Sequence, residues 1–299
     1  MYVLFAQHPA ISVDCCDVGQ TQLTIDTIPD DALLYVFDFY VAQASKVEAW
    51  HTLVHVCRRW RNLVFESPRC LNLRITCTHE TSVKKKLDVW PALPIVISGV
   101  RKPENYDNTK AALEHHDRVC QIKLFSFVWD LGDIVSLLEE PLAILTDLDL
   151  SAVGSFRPFD PGPSKFLGGS ARLQSLTLSD LWILDLLKLL LSTPNLVNLR
   201  LARTIRHPFE SFLPDEVITV LSAFTRLEQL DLDLIGRSHL ESENRRLALL
   251  TRTVLPSLTV LRLTCVTEVL EDFIARIDAP LLDHLLIHIS FDGSVEDIL

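Results

Sequence analysis

Several things are scarce in this chain of 299 residues, and each scarcity closes off a class of function. Basic residues are outnumbered, 28 Lys and Arg against 39 Asp and Glu, for a net charge of −11. A protein that tracks nucleic-acid phosphates needs a basic face, so no nucleic-acid partner is expected. The two dense basic runs, Lys84-Lys85-Lys86 and Arg58-Arg59-Trp60-Arg61, read as a solvated turn and the polar face of a helix. Glycine numbers only 9 against a hydrophobic content of 48%, the balance of a packed chain rather than a disordered one. There is no Gly-rich phosphate loop and no Gly-x-Ser-x-Gly turn. The cysteines, Cys15, Cys16, Cys57, Cys70, Cys77, Cys120 and Cys265, are odd in number and never spaced Cys-x-x-Cys, so zinc-module spacing is missing. They read as reduced thiols of an intracellular protein, cytoplasmic or nuclear. No apolar run is long enough for a membrane. The most apolar stretch, 181–191, contains Asp185 and Lys188 and is too short to cross a bilayer. The first sixteen residues have no basic n-region and no long apolar run, so no signal peptide is expected.

The histidines carry no clear chemistry. His51 and His55 lie one helical turn apart, the spacing of a metal-binding pair, but no Glu or third ligand accompanies them. His115-His116 and Cys120 fall in a polar stretch. Cys57 sits on an apolar stripe without a base and reads as a structural thiol rather than a nucleophile. No metal, no cofactor and no catalysis by this chain are expected.

The most informative stretch is 25–73. Leu33, Val36, Phe37, Tyr40 and Val41 repeat at i, i+3, i+4, i+7, i+8, one face of a helix. Pro29 suits a first turn, where its missing N–H costs nothing. Asp30 and Asp31 stand where the helix dipole favours negative charge. Trp50, Leu53, Val56, Cys57, Trp60 and Val64 form a second apolar stripe, expected on one helix, with Arg58, Arg59, Arg61 and Asn62 opposite. Ser67-Pro68 ends it, because the residue before proline is pushed out of the α region.

The order of these residues resembles the F-box motif. The family's Leu-Pro-x-Glu, Leu pair and Ile-Phe are matched by Ile28-Pro29-Asp30-Asp31, Leu33-Leu34 and Val36-Phe37. Its Val-Cys-Arg-x-Trp-Arg-x-Leu block is present as Val56-Cys57-Arg58-Arg59-Trp60-Arg61-Asn62-Leu63, and Ser67-Pro68 follows. Ala32 and Leu71 depart from a usual Leu and Trp, and the link 38–49 is longer than in a short F-box. The resemblance implies binding of a Skp-type adaptor, and through it a cullin, by the apolar groups of Pro29, Leu33, Phe37, Val56, Cys57 and Trp60.

Residues 1–24 lack a period and read as a flexible arm; 25–75 form the F-box-like helical domain; 76–118 read as a transition segment, with a short strand at 93–97 and a helical turn at 110–114. From 119 to 299 a template L-x-x-L-x-L recurs, starting at Val119, Leu145, Leu173, Leu196, Leu227, Leu258 and Leu282. Successive starts are 26, 28, 23, 31, 31 and 24 residues apart, around the period of leucine-rich repeats. Helical periods fall between, at 133–140, 181–192, 215–224, 245–253 and 268–277. Pro194, Pro256 and Pro280 punctuate the passage from helix to strand. This region resembles the leucine-rich repeats that often follow an F-box, although the family's Asn or Cys position is held by Val153, Leu181, Thr204, Ile235 and Val266. The expected fold class is therefore α/β: an N-terminal helical F-box, then a leucine-rich-repeat-like solenoid with a parallel sheet and helices on the other face.

The template also places one residue per strand between its last two apolar positions, namely Lys123, Asp149, Thr177, Arg200, Asp231, Arg262 and Leu286. Neighbouring charges alternate in sign, which predicts cross-strand pairs, Lys123 with Asp149 and Asp231 with Arg200 and Arg262. A row that neutralises itself is a poor sole reader of a charged protein substrate. Substrate binding is therefore expected at the flanking Asp233, His284 and His288, and in the loops 153–169 and 203–214. The function implied is the substrate-receptor subunit of a Skp–cullin–F-box ubiquitin ligase. Two rivals stand beside it: a non-enzymatic repeat scaffold whose helical hairpin is only an N-terminal cap, and a hydrolase with a site scattered over the repeats.

Overall fold

The computed structural model describes residues 25–43, 49–67, 73–77, 82–89, 92–100, 106–127, 138, 142–153, 172–181, 186–202, 214–233, 252–265 and 267–289. The expected arm 1–24, the helix at 133–140 (apart from Leu138) and the loops 153–169 and 203–214 (apart from Val153 and Pro214) lie outside them. The chain divides into two compact units, Met1–Leu71 and Asn72–Leu299.

The first unit is helical. A short 3-10 turn at Ile25–Thr27 precedes α1, Asp30–Gln43. The Leu33 N–H bonds the Pro29 carbonyl at 3.1 Å, closing the first turn on the proline. The second apolar stripe is not one helix. It breaks into α2, Trp50–Val54, and α3, Arg58–Glu66, with Cys57 extended at φ −155 and ψ 173. The break is held by the Arg61 side chain, whose Nε donates to the Val54 carbonyl at 3.0 Å, one of the carbonyls a helix end leaves without a partner. Leu33, Phe37, Trp50, Leu53, Val54 and Val64 are buried. Phe37 meets Trp60 with ring centroids 4.6 Å apart, and Trp50 meets Phe65 edge-on at 6.1 Å.

Among its described residues the second unit forms a parallel sheet of nine strands. In order of both sequence and space these are β1 (Ile75–Cys77), β2 (Ile95–Val100), β3 (Val119–Phe127), β4 (Asp147–Val153), β5 (Ser175–Ser179), β6 (Asn198–Ala202), β7 (Gln229–Asp233), β9 (Val260–Cys265) and β11 (His284–Ile289). β8 (Thr253–Val254) and β10 (Ile277–Asp278) make a separate parallel pair. Among the described residues the helices are α4 (Val83–Val89), α5 (Tyr106–Leu113), α6 (Leu186–Leu191), α7 (Pro214–Leu221) and α8 (Thr267–Arg276). α4 packs on α5, and α6, α7 and α8 pack on one another in turn.

The seven template segments are all strands of this one sheet, each parallel to the next, because a crossover always intervenes. Their apolar positions form the core. Leu145, Leu173, Leu196, Leu227 and Leu258 are fully buried, joined by Leu148, Leu176, Leu230, Phe224 and Phe273. Each such leucine contributes roughly 1.5–3 kcal/mol of burial.

The domain boundaries need correcting. The transition segment 76–118 belongs to the sheet unit, where β1 and β2 extend the same sheet by two strands. The short strand expected at 93–97 overlaps the start of β2, which begins at Ile95, and α4 lies where no regular element is expected. The helix expected at 245–253 ends instead in β8, and its remaining residues lie outside those described. Pro194, Pro256 and Pro280 each occupy a turn leading to the next strand.

A backbone ladder holds the strand entrances in register. Val197 and Asn198 both donate to the Gln174 carbonyl at 2.8 Å, Glu228 and Gln229 to Val197 at 2.8 and 3.0 Å, and Thr259 and Val260 to Glu228 at 2.9 and 3.0 Å. One carbonyl of each unit thus satisfies two amides of the next, the accounting that buried backbone demands. At the family's Asn position, Leu181 is buried in the core.

Candidate functional site

The six motif residues of the helical unit are not brought together as a surface. Pro29 and Val56 are exposed, Cys57 and Trp60 half-buried, but Leu33 and Phe37 lie in the interior. Leu33 and Phe37 are therefore corrected from contact residues to packing residues. Val36 and Tyr40 of the expected stripe instead join Tyr35 and Phe39 in a second, outward apolar face of α1, with Tyr35 79% and Phe39 68% exposed, and Val56 at the α2–α3 break is 53% exposed. An aromatic face of this kind on one helix is the type of surface that marks an interaction site. Periodicity could not find it, because the sequence shows apolar residues almost all round α1 and only packing says which face is used up.

The same unit carries a polar clamp. Arg59 of α3 reaches back to the start of α1. Its Nε donates to Asp30 Oδ1 at 3.0 Å, Nη1 to the Asp26 carbonyl at 2.9 Å, and Nη2 to the Ile28 carbonyl. The guanidinium fork thereby ties the turn before Pro29 to α3, which positions α1 and its free face. Arg59→Ala is expected to lower the stability of the helical unit by about 1–2 kcal/mol, a charged hydrogen-bond contribution discounted for partial exposure. Arg59→Lys should not restore it, because a single ammonium cannot reproduce the fork. Circular dichroism melts of the wild type and both variants check this.

In the sheet unit, the central row is assembled as its spacing predicts. Lys123 faces Asp149, Asp149 faces Thr177, Thr177 faces Arg200, Arg200 faces Asp231, Asp231 faces Arg262, and Arg262 faces Leu286. Of the pairs expected, Arg200–Asp231 closes as an ion pair, Nε to Oδ2 at 3.5 Å. Lys123–Asp149 and Asp231–Arg262 are register neighbours that do not close to ion-pair distance. Long side chains at exposed sites lose entropy on pairing, and adjacency alone does not compensate for it.

A second row, which the template reading passes over, runs two residues earlier on every strand. It sets Gln121 beside Asp147, then Ser175, Asn198, Gln229, Val260 and His284. Gln121 Nε2 donates to Asp147 Oδ2 at 2.8 Å, and Thr146 Oγ1 donates to the same oxygen at 2.6 Å. The period-two alternation of strands is the signal that could have found this row. Across β3 to β7 the open face of the sheet carries amides, hydroxyls and balanced charges, and toward its ends the apolar Phe125, Val260 and Leu286 join them.

The flanking residues are only partly brought together. Asp233 and His288 both face Thr264, one from each side, and so stand two strands or roughly 10 Å apart. His284 lies at the other end of β11 opposite Val260, with its Nε2 3.2 Å from Asp283 Oδ2. His284 and His288 are exposed and Asp233 is half-buried. The loop candidates lie outside the described residues.

Two thiols of this unit, Cys120 and Cys265, are poorly disposed to react. Burial pushes the Cys120 thiol up from its ordinary value, and its Sγ donates to the Ile95 carbonyl at 3.3 Å. Burial, then the nearby Asp233 charge, also push the Cys265 thiol up. Both effects hold sulfur in the protonated form, the opposite of what a nucleophile needs. Among the described residues no group of three or more His, Cys, Asp or Glu is placed to hold a metal ion, and no helix is long and apolar enough to cross a membrane. Compared with family models and with curated proteins, the chain matches neither.

Proposed function

We propose that this chain is the substrate-receptor subunit of a Skp–cullin–F-box ubiquitin ligase, acting in the cytoplasm or nucleus. On this reading the helical unit is an F-box that docks a Skp-type adaptor, and the sheet unit is a leucine-rich-repeat-like solenoid that holds a protein substrate. The chain makes no bonds itself. Its contribution is to place a substrate near the ligase, so that transfer occurs at high effective concentration.

The observation that carries the reading is the free aromatic face of α1, inside the segment that resembles the F-box and held in place by Arg59. Tyr and Phe anchors of this kind dominate the energetics of protein interfaces. The polar rows of the sheet support the second half: a broad, rigid, hydrogen-bonding face suits a protein partner better than a small molecule, which needs a concave apolar pocket.

The scaffold reading has one observation in its favour, since Leu33 and Phe37 are buried as a simple cap would require. A cap, however, gives no reason for a second apolar face on α1. The tagged full-length chain, recovered from a eukaryotic lysate, separates the two. Co-recovery of a Skp-type adaptor and a cullin is expected. Recovery of neither, from a folded chain, would leave the scaffold reading.

A further inference from the structure

The last strand of the sheet departs from every other. At the register positions where β9 buries Leu261 (3% exposed) and Leu263 (1%), β11 leaves Leu285 48% and Ile287 37% exposed. Its other side chains are exposed as well, so β11 is uncovered on both faces. It pairs β9 on one side, and among the described residues no strand pairs its outer side. The opposite edge, β1, is only three residues long, one of the ways proteins blunt an edge. β11 is six residues, contains no Lys, Asp, Glu or Pro, and pairs β9 without a bulge. None of the usual guards against edge pairing is present on it.

Two features identify the partner. The first is the direction of the free backbone groups. The His284 N–H donates to the Thr259 carbonyl at 2.9 Å, toward the sheet. In a parallel ladder the residues alternate, so Leu285 and Ile287 direct their amides and carbonyls outward. The second is the sequence of the strand, His284-Leu285-Leu286-Ile287-His288, which reads the same by chemical type in both directions about Leu286. A two-fold contact requires that residue i meet j while j meets i. An antiparallel pair of β11 strands centred on Leu286 meets that condition. It sets Leu285 opposite Ile287 of the second copy as hydrogen-bonded pairs, Leu286 opposite Leu286 and histidine opposite histidine, with no Lys, Arg, Asp or Glu from His284 to His288; Asp283 borders the seam, opposite Ile289 of the second copy.

We propose that β11 is a self-association edge through which two copies of this chain join their sheets antiparallel about Leu286. The seam is short, at the low end of interface size, so the association is weak and reversible. It goes beyond the adaptor reading and does not depend on it.

Sedimentation equilibrium of the full chain tests it. A closed monomer–dimer equilibrium is expected. Leu286→Lys and Leu286→Glu each place like charges face to face at the two-fold axis and should weaken the dimer at least about tenfold. Because Leu286 is exposed, both variants should keep the wild-type circular dichroism. An equimolar mixture of the two should recover the dimer, as opposite charges now meet. A wild-type chain that stays monomeric up to roughly 100 μM overturns the proposal, and a third protein or the residues beyond Ile289 occupying the edge would give that result. So would an open polymer, a dimer indifferent to both variants, or a mixture that fails to recover it.

Discussion

Replacing Tyr35 and Phe39 together by aspartate is expected to abolish capture of a Skp-type adaptor while leaving the helical unit folded. Both rings lie on the free face of α1, one turn apart, and are mostly exposed. Their loss therefore removes little burial from the chain itself. In a complex the same rings would be desolvated, and hot-spot aromatics cost about 2 kcal/mol or more each on truncation. Two of them correspond to a loss of roughly a thousandfold in affinity, before the cost of burying a carboxylate is added. Leu33→Asp should behave differently. Leu33 is buried, and an unpaired charge there would unfold the unit rather than unmask a contact. Binding titrations with a purified adaptor, paired with circular dichroism of each variant, tell the two apart. Undiminished binding by the folded Tyr35/Phe39 variant would remove the face from the proposed interface.

On β7, a second contrast is expected between two adjacent residues. Leu230→Ala should destabilise the sheet unit by about 2–5 kcal/mol, because Leu230 is fully buried beside Leu199 and Leu261 and its loss leaves a cavity. Asp231→Ala, one position on, should cost less than about 1 kcal/mol. Its partner Arg200 is exposed, and an exposed ion pair contributes little. Urea titrations with unchanged m-values read both effects as shifts of the midpoint. A large loss at Asp231 and a small one at Leu230 would mean that the polar row, not the leucine row, holds the sheet.

The corrections all arise where sequence periodicity is silent. α1 is apolar nearly all round, so the pattern of Leu33, Val36, Phe37 and Tyr40 identifies a helix but not its buried side. The second stripe, from Trp50 to Val64, fits a single helix equally well. The break at Cys57 depends on Arg61 capping Val54 and Arg59 reaching α1, side-chain contacts to backbone and to another helix that an apolar period does not register. β1 and β2 carry no L-x-x-L-x-L template, and their place in the sheet comes only from pairing with β3.

The sequence by itself determined the seven template strands, their parallel order and the facing of Lys123, Asp149, Thr177, Arg200, Asp231, Arg262 and Leu286. It could do so because a leucine repeat with a crossover in every interval admits one register: a slip of one residue would turn every leucine out of the core. Only the tertiary structure decided which apolar face of α1 is free, which of the row's charges close, and that β11 is left uncovered on both faces. Those outcomes turn on which neighbours are present within a few ångströms, and no local pattern encodes a neighbour.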